Sequence, residues 1–262
     1  MKYSKNYLIC LQFLGFRFSG WQKQKNAKTL HEMLDKLLFY TLNHNNFKSL
    51  GVGRTDAKVS ANTYYVQLFL NEVIDEQLFL EELNRNLSAD FKALSVKEVS
   101  LDFNILNATK RKEYHYYFSF GHKNHPFAAP FITPILENLD VKLMKKGAKL
   151  FEGEHYFDKY CTKPSPEKIV KRTIDSCEIV ENNILTANFF PETSYLLKVK
   201  GKGFLRYQIR LMMATLFELG KKKITLQFIE DSLKEDNDKE FLPFIAPASG
   251  LQLYDVELII DE

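Results

Sequence analysis

Cysteine and histidine are sparse in this chain. Its 262 residues contain 3 cysteines, Cys10, Cys161 and Cys177, an odd number without C-x-x-C spacing. A disulfide framework is therefore not expected. The 6 histidines are scattered, and His122 and His125 form the only close pair. Because a structural zinc site needs four ligands at workable spacing, the sequence predicts no metal.

Long apolar runs are missing as well. The longest are short and interrupted by polar residues, so we expect no transmembrane helix and no membrane partner. The first residues, Met-Lys-Tyr-Ser-Lys-Asn, lead into a predicted strand and lack the apolar core of a signal peptide. These two absences predict a cytoplasmic protein.

A strong excess of one charge is also absent, because the formal net charge is only +3. This value is too small to indicate nucleic-acid binding by itself. The distribution of the positive charge is more informative, since basic residues cluster in the last third of the chain. The cluster consists of Lys198, Lys200, Lys202, Arg206, Arg210, Lys221, Lys222 and Lys223. A solvated charge run remains the alternative for the lysine triplet.

Apolar residues make up 45% of the chain, enough for one large domain or two lobes that share a sheet. Alternation over residues 7–13 predicts a first strand. Thr29 and Glu32 have the spacing of a capping box, which predicts a helix through about Leu42. Three further strands are predicted at 47–52, 63–70 and 93–101, and a second helix at 76–87. The resulting order, strand, helix, strand, strand, helix, strand, is ferredoxin-like.

The second half of the chain repeats this order of elements. Strands are predicted near 113–120, 169–180, 194–200 and 251–260, and helices near 139–151, 205–219 and 225–234. We therefore expect an α+β fold with two ferredoxin-like lobes, residues 1–105 and 106–262. Their strands are expected to join in one mixed, mainly antiparallel sheet with a central basic cleft.

Residues 51–61 form the most informative segment, Gly-Val-Gly-Arg-Thr-Asp-Ala-Lys-Val-Ser-Ala, between two predicted strands. Gly51 and Gly53 tolerate a sharp turn and a close backbone approach, so they can present Arg54 and Asp56 side by side at a strand end. A cation and a carboxylate displayed in this way suit chemistry on a polyanion. From the residue types alone, an ordinary glycine-rich hairpin with solvated or paired side chains is the more common case.

Two later segments also carry candidate residues. Tyr114, Tyr116 and Phe118 share one face of a predicted strand, and such a face is usually core. Residues 201–210 run from a strand into a helix and lack the G-x-x-x-x-G-K-[ST] phosphate loop. On that helix, Arg206 and Arg210 lie one turn apart beside an apolar stripe, where they could simply be solvated. The stripe consists of Leu205, Ile209, Met212, Leu216 and Leu219.

Together these motifs resemble those of the TruA-type tRNA pseudouridine synthases. The segment 53–61 is similar to the family's Gly-Arg-Thr-Asp-Ala-x-Val-x-Ala loop. Lys112 and Tyr114 are similar to its second motif, and residues 201–210 to its Phe-Leu-x-x-x-Val-Arg motif. Weaker matches follow in the family's order at residues 15–24, 153–157, 172–174 and 246–251, so the resemblance covers nearly the whole chain.

Three positions or segments depart from the family pattern. Lys58 and Ser60 stand where the common bacterial loop has Gly and His, and residues 103–106 read Phe-Asn-Ile-Leu in place of Phe-His-Ala-Arg. Glycine at the position of Lys58 indicates either a backbone with φ > 0 or a lack of room beside RNA. If φ is negative here, the lysine is free to reach a phosphate and partly replace the missing arginine.

The resemblance implies the pseudouridine synthase fold and the conversion of uridine to pseudouridine in tRNA without a cofactor. The implied target is the anticodon stem-loop, positions 38 to 40 of the tRNA. Asp56 would be the nucleophile on a flipped-out uridine, Tyr114 would lie against the base, and Arg210 would pair with Asp56. The implied RNA-binding residues are Arg54, Lys58, Lys112, Lys202 and Arg206, and the implied assembly is a homodimer.

Two other functions remain open from the sequence. The departures at Lys58, Ser60 and residues 103–106 would also suit a non-catalytic RNA-binding or tRNA-folding protein on the same scaffold. More distantly, a structural or protein-binding α+β module could hold Asp56, Tyr114 and Arg210 as core pairs. The retention of these three residues together favours the enzyme.

Overall fold

The structure is a computed structural model that describes residues 3–162, 170–235 and 242–260. The described residues form ten strands, six α-helices and two short 3-10 helices. The strands are β1 (Lys5–Phe13), β2 (Lys48–Gly51), β3 (Ser60–Leu70), β4 (Phe91–Val99), β5 (Thr109–Phe120), β6 (Thr133–Ile135), β7 (Gly153–Tyr156), β8 (Lys171–Glu181), β9 (Tyr195–Gly201) and β10 (Leu251–Leu258). The helices are α1 (Leu30–Leu42), α2 (Glu76–Asn86), α3 (Ile105–Ala108), α4 (Val141–Lys149), α5 (Gln208–Gly220) and α6 (Leu226–Ser232), and the 3-10 helices are Gly15–Arg17 and Pro126–Ala128.

The predicted fold class is confirmed. Most strand pairs are antiparallel, whereas β3 with β10 and β5 with β6 are parallel, so the sheet is mixed and mainly antiparallel. None of the helices among the described residues has the length and apolar character needed to cross a membrane.

The chain divides into two compact units, Met1–Arg111 with Gln252–Glu262, and Lys112–Leu251. The first unit therefore includes most of the final strand, β10. The lobe boundary after residue 105 stays a prediction. In the division of the chain by packing, residues 106–111 belong to the first unit.

In the first unit, the predicted ferredoxin-like order of elements is present as β1, α1, β2, β3, α2 and β4. The strand order is β4-β1-β3-β10, with β2 also paired to β3. The N-cap half of the predicted capping box is present, because the Thr29 side chain accepts a hydrogen bond from the Glu32 amide and α1 starts at the next residue. Helix α1 buries Leu30, Leu34 and Leu38, all fully inaccessible to solvent.

In the second unit, the strand order is β5-β9-β8-β7, and the short β6 pairs with β5. The strand predicted at 169–180 is β8, although residue 169 lies outside the described residues. Helix α5 is buried on nearly every side, and the whole predicted apolar stripe 205–219 is in the core. The helix begins only at Gln208, so Arg206 lies in the turn before it rather than on its face as predicted.

Candidate active site

The loop between β2 and β3 carries Asp56, and its entry is fixed by aromatic packing. A Cβ on Gly51 would collide with the Tyr64 hydroxyl and lie 2.7 Å from two ring carbons of Trp21, so only glycine fits there. The Tyr64 hydroxyl donates to the Gly53 carbonyl at 2.5 Å. Trp21 and Tyr64 also pack on each other, with ring centres 4.2 Å apart. Close approach to Tyr64 and Trp21 therefore accounts for the glycine at position 51.

The centre of the loop is held by the backbone of Gly20 and Trp21. The Trp21 amide donates to the Thr55 carbonyl at 3.1 Å. Gly20 has φ +91°, and a Cβ there would lie 2.7 Å from the Thr55 oxygen and 3.1 Å from the Asp56 carbonyl carbon. Segment 15–24, one of the weaker family matches, thus positions both Thr55 and Asp56.

We expect Gly20→Ala to displace the Asp56 loop, because the new methyl group meets backbone atoms and the left-handed φ disfavours alanine. The expected result is a loss of about 2 kcal/mol in the free energy of unfolding together with a large loss of turnover. Chemical denaturation and single-turnover kinetics measure the two effects. Gly203→Ala is the matched control, since a Cβ there meets no atom within 4 Å. Equal stability of both variants would contradict this role of Gly20.

Asp56 is half-buried and Arg54 is exposed. After Asp56 the chain forms a turn, in which the Val59 amide donates to the Asp56 carbonyl at 3.2 Å. Lys58 occupies the third position of this turn with φ +68°, the conformation that a type II turn requires and that glycine adopts most readily. The alternative that Lys58 has a negative φ is therefore wrong. The Lys58 amide donates to the Phe18 carbonyl at 3.0 Å, which holds the backbone in place.

Lys58→Gly is accordingly expected to stabilise the chain by about 1 kcal/mol, because glycine adopts a left-handed φ without steric cost. Urea denaturation measures this change. If the lysine also contacts a phosphate, the variant binds tRNA more weakly and its salt slope falls by roughly 0.9 or less. Lys58→Ala separates the two effects, since it removes the charge and keeps the backbone strain. A destabilised Lys58→Gly variant would contradict the left-handed conformation.

Ser60 forms a hydrogen bond with the backbone of the neighbouring loop. Its Oγ accepts a hydrogen bond from the Gly15 amide at 3.0 Å, and the contact is buried. A Cβ on Gly15 would lie only 1.8 Å from the Val59 oxygen, so the two segments are in close contact. The departure at Ser60 therefore fills a structural position beside the loop.

The departure at residues 103–106 forms the start of the one-turn helix α3. The Asn104 side chain accepts from the Leu106 amide at 3.0 Å, and the Ile105 amide donates to Gln67 Oε1 at 3.1 Å. Ile105 is fully buried, whereas Leu106 is 54% exposed. The position of the family's arginine is thus an exposed leucine, which offers no charge to RNA.

Tyr114 and Lys112 lie on β5 in the second unit. Tyr116 and Phe118 on the same face are fully buried, whereas Tyr114 is only half-buried. Its ring packs edge-to-face on Phe204, with centres 5.3 Å apart. Burial lowers the pKa of the Lys112 ammonium, so this cation is partly desolvated.

Arg210 lies in the first turn of α5 and is held by the closing motif 246–251. Its Nε donates to the Ala246 carbonyl at 2.8 Å, and the Ala246 amide donates to the Arg210 carbonyl at 3.2 Å. The same motif anchors to β5, because the Tyr117 amide donates to the Gly250 carbonyl at 2.8 Å. A Cβ on Gly250 would lie 2.6 Å from the Tyr117 oxygen, so this contact needs glycine.

Tyr207 is a site residue that no sequence motif indicated. It precedes α5 with φ +65°. The guanidinium groups of Arg206 and Arg210 lie 4.9 Å and 5.1 Å from the centre of its ring, within cation–π range. The structure thus brings the two arginines to one aromatic ring. Lys202 and Arg206 are exposed.

The candidate residues therefore form two groups, each within one unit. Arg54, Asp56 and Lys58 share the loop of the first unit. Lys112, Tyr114, Lys202, Arg206 and Arg210 lie on β5, on α5 and in the turn that precedes α5. That the two groups share one basic cleft stays a prediction.

Comparisons with known proteins identify the class. The family model described as tRNA pseudouridine synthase matches residues 148–257. The tRNA pseudouridine synthase A of Clostridium acetobutylicum is 30% identical over 249 residues, 95% of this chain and 98% of the relative. That of Aquifex aeolicus is 30% identical over 253 residues, 97% of this chain and 99% of the relative. The chain therefore belongs to the tRNA pseudouridine synthase A family, a family of isomerases, and the resemblance noted from the sequence is confirmed.

Proposed function

We propose that this chain converts uridine to pseudouridine in the anticodon stem-loop of tRNA, at positions 38 to 40, with Asp56 as the nucleophile. The observation that carries the proposal is the placement of Asp56. Asp56 is half-buried, on a loop whose backbone is held by Gly20, Trp21 and Tyr64. A carboxylate on a loop that is held in place in this way suits covalent catalysis. The working form is proposed to be a cytoplasmic homodimer.

In the proposed reaction, the Asp56 carboxylate attacks either C1′ or C6 of a flipped-out uridine. The N1–C1′ bond breaks, the uracil turns, and a C5–C1′ bond forms. After attack at C1′, C5 displaces the Asp56 carboxylate as the C5–C1′ bond forms, whereas after attack at C6 the Asp56–C6 bond breaks once the C5–C1′ bond is in place. In either route C5 loses its proton and N1 gains one. No oxidant, reductant or cofactor enters this balance.

Tyr114 is proposed to lie against the uracil ring and to accept the C5 proton. Its half-buried position at the end of a buried aromatic face supports this role, because the ring can contact both core and ligand. Stacking on an aromatic ring holds a flipped base without demanding a particular sequence. A detached uracil would thereby be kept from escaping.

The cations are proposed to divide between catalysis and binding. Arg210 pairs with Asp56 and keeps its carboxylate ionised, and the Ala246 carbonyl orients its guanidinium. Arg54 fills the gap left by the flipped base or holds its phosphate. Lys58, Lys112, Lys202 and Arg206 contact the RNA backbone, a contribution that salt weakens.

Tritium release from tRNA labelled at C5 of uridine tests the proposed activity. The expected result is release of more than one tritium per enzyme molecule, because each isomerisation exchanges the C5 proton and frees the enzyme. Tight tRNA binding without any release would instead identify the non-catalytic RNA-binding alternative.

A further inference from the structure

The outer side of α1 carries a lysine-rich groove in the first unit. The loop before the helix and its first two turns enclose a cavity of about 700 Å³. Four lysines line it, Lys23, Lys25, Lys28 and Lys36, against one lining carboxylate, Glu32. We refer to this cavity as the lysine groove. Asp56 does not belong to its lining.

Two of the four lysines have no carboxylate partner among the described residues. Lys36 pairs with Glu32 at 2.9 Å, and Lys23 pairs with Asp35. In the part of the chain that the structure describes, Lys25 and Lys28 have no carboxylate within 4.0 Å. The Lys28 ammonium lies 4.7 Å from the centre of the Phe18 ring. The lysine groove therefore has uncompensated positive charge.

An aromatic groove of about 360 Å³ continues from the lysine groove along α1 and shares Lys23, Glu32 and Lys36 with it. Phe39, Tyr40 and Phe47 line this part. Tyr40 is 69% exposed and Phe39 43% exposed, and their ring centres are 5.6 Å apart. The lysines of this part, Lys23 and Lys36, are the two paired ones, so the uncompensated lysines and the exposed Tyr40 lie in adjoining parts of one surface. Such a surface matches the chemistry of a nucleic-acid strand, with phosphates for the cations and a base for the ring.

We propose that this surface binds a strand of tRNA, with phosphates at Lys25 and Lys28 and one unstacked base against Tyr40. The proposal rests on the proposed function, which supplies the RNA. An acidic protein segment would also satisfy the charge. RNA fits better, because lysine is depleted in the cores of protein interfaces and common in phosphate contacts.

The first test compares Lys25→Ala/Lys28→Ala with wild type in tRNA binding across a series of salt concentrations. The dissociation constant is expected to rise by about tenfold, and the salt slope to fall by roughly 1.4 to 1.8 for two lost phosphate contacts. Lys92→Ala/Lys97→Ala is the matched control, since it removes two exposed lysines from β4 of the same unit. If both double variants lower the slope equally, the lysine groove is not an RNA site.

The second test compares Tyr40→Ala with Tyr40→Phe. Loss of one stacked base is expected to weaken tRNA binding by about fivefold or more in the alanine variant, and phenylalanine is expected to retain the wild-type affinity. Because Tyr40 is mostly exposed, neither variant should change the melting temperature. Unchanged tRNA affinity in Tyr40→Ala and in the lysine double variant would overturn the proposal and favour an acidic protein as the occupant.

These binding measurements separate this proposal from the proposed function. If tRNA binding depends on Lys25, Lys28 and Tyr40 but no tritium is released, the proposed enzymatic activity is contradicted and the proposed RNA-binding surface is supported. If the chain turns over tRNA and the lysine and Tyr40 variants keep the wild-type affinity, the proposed activity is supported and the proposed RNA-binding surface is overturned.

Discussion

Replacing Asp56 with asparagine is expected to lower tritium release by more than about a thousandfold while tRNA affinity stays within a few-fold of wild type. The amide keeps the shape of the side chain but cannot form the covalent adduct. Single-turnover release from 5-tritiated uridine tRNA measures the first effect, and filter binding the second. Binding does not need the nucleophile, so the two measurements should separate.

Asp75→Asn is the matched control for this variant. Asp75 is an exposed residue of the same unit that caps α2 by accepting from the Leu78 amide. Asparagine caps helices about as well as aspartate, so this variant should keep both activity and stability. Substantial tritium release by Asp56→Asn would remove Asp56 from the role of nucleophile.

Replacing Arg210 with alanine is expected to lower turnover by about a hundredfold or more, because it removes the proposed charge partner of Asp56. It should also cost about 1 to 2 kcal/mol of stability, since the Ala246 carbonyl loses the Nε donor. Single-turnover kinetics and urea denaturation measure the two losses. Arg210→Lys restores a charge without the fixed planar fork and should recover only part of the activity.

Arg206→Ala is the comparison for Arg210→Ala, because both guanidinium groups lie over the Tyr207 ring but only Arg210 is proposed to act in catalysis. Its exposed guanidinium is expected to contact a phosphate, so the variant should bind tRNA more weakly with a salt slope reduced by roughly 0.9 or less. If Arg206→Ala and Arg210→Ala both change only the salt dependence of tRNA binding, the proposed pair between Arg210 and Asp56 is wrong.

Local signals account for most of the fold that the sequence predicted. The spacing of Thr29 and Glu32 predicted the start of α1 correctly, because the N-cap hydrogen bond between them spans only three residues. The start of α5 was predicted three residues too early. There, Tyr207 adopts a left-handed φ and stands between two guanidinium groups, and no local pattern indicates such a conformation.

The sequence predicted the residue types of the candidate site but not the contacts that hold those residues in place. The motif resemblance pointed to Asp56 and Arg210, but their partners in the structure lie far away in sequence. Thr55 is held by Trp21, and Arg210 by Ala246. The conformation of Lys58 likewise depends on the Phe18 carbonyl, so the sequence left both signs of φ open. Contacts of this kind arise only when the chain is folded.

Mapping pseudouridine in tRNA from cells that lack this chain tests the central claim most directly. Pseudouridine is expected to disappear at positions 38 to 40, to return when the wild-type chain is supplied, and to stay absent with Asp56→Asn. Restoration by Asp56→Asn, or unchanged pseudouridine in the cells that lack the chain, would contradict the assignment.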